Sequence, residues 1–260
     1  MKGDGTTLGD RMKFYEKLQR TTLPRELYSI IRVDGRAFHT LLRNSKKPFD
    51  LGFMLDMDRT ATALCKEIQG AVFAYTQSDE ISVLVADPNP KSEPWFGGIV
   101  QKQVSIAAAK ATMEYNRYTS DDYGPLGMFD ARVFHLPNAE EVANYFIWRK
   151  QDCIRNAVSM AAQAHFSPKE LHGKKSSEMI EMLRGKGVEW SDYPEGARHG
   201  RIVTRQTGER QVAYIDKRSG EQKLTTALRS WWETRDAPPF AHHPDGWLAQ
   251  NIPALPEGEL

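Results

Sequence analysis

The chain has 260 residues, 40% apolar and 10% aromatic, which supports a packed core in one large domain, or a catalytic domain with an integrated extension, and excludes global disorder. A net charge of +1 means that any nucleic-acid contact must rest on local clusters rather than on an overall field. The two cysteines, Cys65 and Cys153, lie in helix-like segments without metal-ligand spacing, which points away from a disulfide scaffold and toward a reducing cytosol. No apolar stretch follows Met1-Lys2-Gly3-Asp4-Gly5, and no apolar run is long enough for a bilayer. The expectation is a soluble, cytoplasmic protein with no membrane partner.

In chain order, the pattern predicts a strand over 27–33, ended by Asp34-Gly35, then a helix through Met57, Ala61, Leu64, Cys65 and Ile68 that stops at Gly70. Two strand-like runs, 71–76 and 81–86, are separated only by Gln77-Ser78-Asp79-Glu80 and read as a hairpin. Beyond Pro88 and Pro90, Val100, Val104, Ala107, Ala108 and Ala111 predict a second helix. A strand over 131–135 closes at Pro137, and a long helix follows over about 140–164, buried through Val142, Phe146, Ile154, Val158 and Ala161. Ser167-Pro168-Lys169-Glu170 is a helix start with a capping box. Residues 202–204 and 211–215, around Gly208, suggest a basic hairpin, and Trp231, Trp232 and Trp247 follow among prolines. The fold class is α+β: a mostly antiparallel sheet with helices on one face. A domain boundary near residue 137 separates a catalytic region, 1–137, from a helical and basic-hairpin region, 138–260.

Two acidic elbows carry the chemistry. In Arg32-Val33-Asp34-Gly35-Arg36-Ala37-Phe38-His39, a carboxylate ends a strand and the next glycine lets its carbonyl and a triphosphate approach closely. Asp-Gly is equally the composition of a simple turn. Ser78-Asp79-Glu80 at the hairpin tip also suits a solvated turn. Together, however, the two elbows can set Asp34 and Asp79 on adjacent strand ends, where two magnesium ions would relieve their repulsion and assist phosphoryl transfer. Gly97-Gly98 before a helix bearing Lys102 suggests a triphosphate-tail site, or simply a surface lysine. Arg36 and His39 offer phosphate and hydroxyl contacts. Phe38 is either core filler or a base-stacking platform.

These residues resemble the tRNA-histidine guanylyltransferase family and its 3′-to-5′ polymerase relatives. Arg32, Asp34, Gly35, Arg36, Phe38 and His39 match its R-x-D-G-R-x-F-H motif, and Ser78, Asp79 and Glu80 match its S-D-E hairpin. Lys102 behind Trp95-Phe96, Phe129-Asp130-Ala131-Arg132-Val133, and Trp148-Arg149 with Asp152 and Asn156 extend the resemblance. Leu8-Gly9-Asp10-Arg11-Met12-Lys13 with Glu16 looks like the opening of the bacterial and archaeal branch. The resemblance implies a polymerase-type palm, usually in a tetramer. It implies that Asp34 and Asp79, helped by the Gly35 carbonyl, bind two magnesium ions, while Glu80 supports the site. Asp34, Gly35, Arg36, Ala37, Phe38, His39, Ser78, Asp79 and Lys102 would bind the nucleotide.

The implied reaction adds nucleotides to the 5′ end of tRNA, using ATP to activate a 5′-monophosphate and GTP or another nucleoside triphosphate as the incoming unit. Members that add guanosine to tRNA-histidine carry a His-Ile-Asn-Asn-like stretch after an Asp-Cys pair. Here Asp152-Cys153 is followed by Ile154-Arg155-Asn156-Ala157, which favours templated 5′-end repair over the strict tRNA-histidine enzyme. Arg198, His199, Arg201, Arg205, Arg210, Lys217 and Arg218 form a candidate RNA strip, or an ordinary solvated strand edge. Two rivals use other chemistry: a nucleotidyl cyclase, and a non-catalytic RNA-binding module with a palm fold. His242-His243 has no evident third ligand.

Overall fold

The computed structural model describes residues 7–25, 27–87, 89, 92–118, 126–218 and 220–255; Met1–Gly5, Pro88 and Pro90 of the sequence reading lie outside them. Helix α1 (Leu8–Leu18) is capped by Thr7 and buries none of its residues. Strand β1 (Tyr28–Gly35) leads through the one-turn α2 (Phe38–Leu41) to α3 (Leu51–Glu67), whose first turn is capped by the Asp50 carboxylate. Gly70, at φ 81°, takes the left-handed conformation that ends the segment. The hairpin β2 (Ala71–Gln77) and β3 (Glu80–Val85) leaves only Ser78 and Asp79 in its turn. Then come α4 (Val100–Tyr118), β4 (Phe129–Leu136) and α5 (Ala139–Gln163). The short helices α6 (Pro168–Leu171), α7 (Ser176–Gly185) and α8 (Glu195–His199) precede the long strands β5 (Arg201–Ile215) and β6 (Gln222–Asp236), and α9 (Trp247–Asn251) closes the described chain.

The six strands form one sheet in the order β4-β1-β3-β2-β5-β6, with antiparallel neighbours throughout. Alternation along β1 divides the core. Ile31 and Val33 pack with Met57 and Leu64 of α3 and Ala107 and Ala111 of α4. Tyr28 and Ile30 face the other way, with Phe73, Tyr75 and Leu84, against Val142 and Phe146 of α5. Each such buried side chain contributes about 1.5–3 kcal/mol, so both layers hold the sheet.

The α+β class therefore stands, but helices cover both faces rather than one. Short strands such as β1 carry apolar residues at successive positions because neither face meets water. The basic hairpin expected around Gly208 is also corrected. Gly208 sits within β5, and β5 pairs instead with β6, which holds Trp231 and Trp232. A glycine inside a strand carries the same local signal as one in a turn, and only the cross-strand partner separates them. Residues 201–236 thus add two strands to the sheet begun by β1–β4. Among the described residues, no helix is long and apolar enough to cross a membrane.

Candidate active site

The same alternation that buries Ile31 and Val33 on one face sends Arg32 and Asp34 to the α5 face. Asp34 ends β1 opposite Glu80 of β3 and Asp130 of β4. Just beyond, the Gly35 N–H donates to the Asp79 carbonyl at 3.0 Å. A Cβ at Gly35 would lie 2.5 Å from Cδ2 of Phe38 and 2.8 Å from Cβ of Asp79, so glycine is required by crowding. In the turn, Ser78 takes a left-handed conformation, φ 46°. Asp34 and Asp79 then line one open cavity of about 430 Å³, with Arg32, Arg149, Asp152 and Asn156 on its walls. Burial pushes the Asp79 carboxyl above its ordinary range, and the charge of Asp34 pushes it the same way.

Glu80 is a different kind of carboxylate. It is 5% exposed; Arg149 donates Nε to Oε1 at 2.8 Å and Nη2 to Oε2 at 2.7 Å, and Arg32 reaches Oε2 at 2.7 Å. Its grip on Glu80 ties α5 to the hairpin, and within α5 Arg149 also donates to Asp152 at 2.8 Å. Its guanidinium is raised above its ordinary value: burial opposes the charge, but the Glu80 carboxylate more than offsets that. Two guanidinium groups thus occupy Glu80, whereas Asp34 meets Arg32 and Arg132 only at 3.4 and 3.6 Å. The donors left for a cation in the cavity are the carboxylates of Asp34 and Asp79. Carboxylates are hard oxygen donors suited to magnesium with substrate phosphates completing its shell. Both carboxylates are half-buried, and among the described residues no cationic side chain pairs with Asp79, which fits that use. Among the described residues, no group of three or more His, Cys, Asp and Glu side chains offers a competing metal site.

The chain's relatives share this architecture. Residues 9–137 match the sequence model of tRNAHis guanylyltransferase (Thg1). A bacterial tRNA(His) guanylyltransferase (Thg1)-like protein in complex with ATP superposes with a TM-score of 0.77 at 34% identity, covering 90% of this chain and 94% of that one. The chain belongs to the tRNAHis guanylyltransferase family. A bacterial Thg1-like protein in complex with GTP gives a TM-score of 0.71 at 34% identity, with the same coverage. The tRNA(His) guanylyltransferase of Schizosaccharomyces pombe is 29% identical over 231 residues, 84% of this chain and 88% of that protein. The family is one of nucleotidyltransferases.

Within this Thg1-family chain, the remaining sequence expectations separate. Arg36, Ala37 and His39 are exposed just beyond Gly35, and Arg36 N–H donates to the Met128 carbonyl at 2.8 Å. Phe38 is 2% exposed, its ring packed against Phe53, Tyr115 and Phe129. Its side chain is core filler, leaving only its backbone for a nucleotide. Lys102 is not brought to Asp34. It stands near the start of α4, whose Gln103 reaches Trp95 at the far end of β3, while Tyr115 packs at the Gly35 end. Thirteen helical residues put those ends roughly 20 Å apart. Gly98, where a Cβ would lie 2.6 Å from the Leu23 carbonyl, serves a close chain crossing.

Ile154 does not face the cavity of Asp34 and Asp79; it lines a separate recess with Lys150, His199 and Phe240. The expected RNA strip is dispersed. Arg201 is buried on Asp58, and Arg198 turns inward to the Tyr193 carbonyl. Trp247 packs against Phe73 and Phe240 as core. The sequence reading missed the part played by Arg149 and by Asn156, Ser159 and Gln163, which continue its face of α5 along the cavity. Their signal was available: polar residues at spacings of 7, 10 and 14 from Arg149 on a mostly apolar helix. A small adjoining recess, lined by Lys46, Lys47 and Asp50, meets the cavity at Gln77, Ser78 and Asn156.

Proposed function

We propose that this chain adds nucleotides to the 5′ end of tRNA in the 3′-to-5′ direction, as templated 5′-end repair. The observation that carries the reading is the meeting of Asp34 and Asp79 in one cavity, locked by the Gly35-to-Asp79 backbone bond. In the first step the 5′-monophosphate of the RNA attacks the α-phosphorus of ATP and expels pyrophosphate. In the second, the 3′-hydroxyl of an incoming nucleoside triphosphate attacks the activated 5′-phosphate and expels AMP. ATP and GTP as substrates are supported by the bacterial relatives bound to each. Asp34, Asp79 and the Gly35 carbonyl hold two magnesium ions, with Asp34 and Asp79 as catalytic residues and Glu80 in support. Cations there would neutralise triphosphate charge and lower the pKa of the attacking hydroxyl. Residues 34–39 and Ser78 line the nucleotide, with the exposed Arg36 and His39 meeting phosphate oxygens.

Templated repair is preferred because Ile154 stands where a histidine follows the Asp-Cys pair in the tRNA-histidine enzymes. The second reading, strict guanosine addition to tRNA-histidine, is favoured by the name of the fission-yeast relative. One experiment separates them: extension of a 5′-monophosphorylated tRNA lacking its first nucleotide, with each of four triphosphates and a varied opposing base. Addition that follows the template supports repair; guanosine alone, on tRNA-histidine alone, replaces it with the narrower enzyme.

Residues 1–137 serve as the catalytic region and 138–260 as a region for RNA contact and assembly within the same layered body. Assembly into a tetramer is part of the proposal, supported by α1, whose Leu8, Met12, Tyr15 and Leu18 are exposed along one helix. Light scattering of the purified chain tests it; a monomeric mass would remove the tetramer.

A further inference from the structure

The recess that adjoins the catalytic cavity has walls from distant parts of the chain. Residues 45–50, in the loop between α2 and α3, form one wall; Asn156 and Ala157 of α5, with Gly196 and Ala197 of α8, form the other. Ser78 stands where recess and cavity meet. A nucleotide held at Asp34 and Asp79 therefore has the 45–50 loop as a neighbour, and its fit depends on where that loop is held.

The loop's hydrogen bonds are local. The Asp50 carboxylate accepts from the Lys46 N–H at 3.1 Å and from the Gly52 and Phe53 N–H groups at 2.9 and 3.1 Å, and Lys47 Nζ donates to the Leu42 carbonyl at 3.0 Å. These bonds set the loop's shape and do not tie it across the recess. A ring contact does. Phe49 meets Tyr193 nearly edge-on, with centroids 5.3 Å apart and planes at 83°, and both side chains are half-buried. Among the described residues, Tyr193 carries the only aromatic ring packed on Phe49.

Tyr193 is itself held from three directions. Its hydroxyl stands 3.3 Å from Nε2 of His165, just beyond α5. Its ring lies 5.9 Å from that of Trp190, and its carbonyl accepts from Nε of Arg198, in α8, at 2.8 Å. The tyrosine is a fixed post on which the loop leans. A loop already held in its binding position loses less freedom when the ligand arrives, which appears as affinity. Tyr193 lines neither the recess nor the cavity, so it can act there only through Phe49.

We propose that Tyr193 is a positioning residue for nucleotide binding: through Phe49 it holds the 45–50 loop beside the catalytic cavity and so sets the affinity of that cavity for its triphosphate. The inference rests on the reading of the Asp34–Asp79 cavity as the nucleotide site.

The test compares the full chain with Y193A and Y193F in the presence of magnesium, by calorimetric binding of ATP and of GTP and by extension of the shortened tRNA. Loss of the edge-on contact should raise Kd and KM for the triphosphate about three- to tenfold, with kcat unchanged. Y193F keeps the ring and drops only the hydroxyl's contact with His165, so it should bind as the unaltered chain does. In an F49L background Y193A should cost nothing further, because the contact it removes is already gone. If Y193A does not fold, Y193L, which keeps apolar bulk without a ring edge, takes its place with the same expected signs. Binding by the unaltered chain with no loss in Y193A would overturn this proposal alone. So would a Y193A defect that persists in full beside F49L, or a fall in kcat with KM unmoved, which would make the tyrosine a support of the fold only. Failure of the unaltered chain to bind either nucleotide would end the nucleotidyl-transfer reading, and this proposal with it.

Discussion

Arg149 grips both carboxylate oxygens of Glu80, Nε to Oε1 at 2.8 Å and Nη2 to Oε2 at 2.7 Å, across 69 positions of sequence. The pair is almost wholly buried, with side-chain exposures of 5% and 7%. It fastens the helix that walls the cavity to the hairpin that carries Asp79. Removing one partner of such a pair leaves a buried charge, which costs about 3–5 kcal/mol. Arg149→Met should lower stability toward that range, softened by Arg32, which still holds Glu80. Denaturant unfolding of Arg149→Met, Glu80→Gln and the double variant checks it: the double should cost less than the two singles summed. Strict additivity would mean that the pair is not coupled.

Asp34→Ala and Asp79→Ala should each abolish nucleotide addition while the far-ultraviolet circular dichroism stays that of the folded chain. The measurement is extension of the shortened tRNA with magnesium present. Full activity in either purified variant would refute their assignment as metal ligands.

The raised carboxyl of Asp79 has a consequence for stability. A group whose folded value is raised stabilises the fold fully below its unfolded value and loses that contribution as pH rises through the folded value. At neutral pH and without divalent cations, the ionised Asp79 therefore weakens the fold. Asp79→Asn should raise the Tm of the cation-free protein by about 2–4 °C for each kcal/mol relieved. The gap should widen as pH rises through the carboxylate range and be flat above it. A lower Tm for the variant at neutral pH, measured by calorimetry in chelator, would contradict the sign.

Gly35→Ala should be costly in two ways. The added methyl meets Phe38 and Asp79 at 2.5 and 2.8 Å, distances that force one of them to move. Overpacking of this kind costs about 1–3 kcal/mol. Because the displaced group is Asp79 or the ring beneath it, nucleotide addition should fall further than stability alone explains. Wild-type kcat in a folded Gly35→Ala would show that the close approach is dispensable.

Phe38→Ala distinguishes core packing from base stacking. With the ring enclosed by Phe53, Tyr115 and Phe129, its loss should destabilise by about 3–5 kcal/mol. Phe38→Leu should recover most of that and leave KM for the triphosphate near normal. A raised KM in a stable Phe38→Leu variant would return the ring to the nucleotide.

What the sequence determined by itself was local. Runs of β-branched and apolar residues with glycine stops marked β1 and the β2–β3 hairpin to within a residue or two, and helical periodicity marked α3, α4 and α5, because these signals act between near neighbours. The two acidic elbows were legible for the same reason, each being a strand end followed by a turn. Tertiary structure decided everything that depends on which surface meets which. It paired β5 with β6 rather than folding it at Gly208, and covered both faces of the sheet. It buried Phe38 and left Lys102 at the far end of α4. It also turned Arg149 from a helix residue into the clamp on Glu80, since an ion pair across 69 residues exists only once α5 has docked on the sheet. Side-chain identity sets what a residue can do; packing sets the dielectric and the partners that select among those uses.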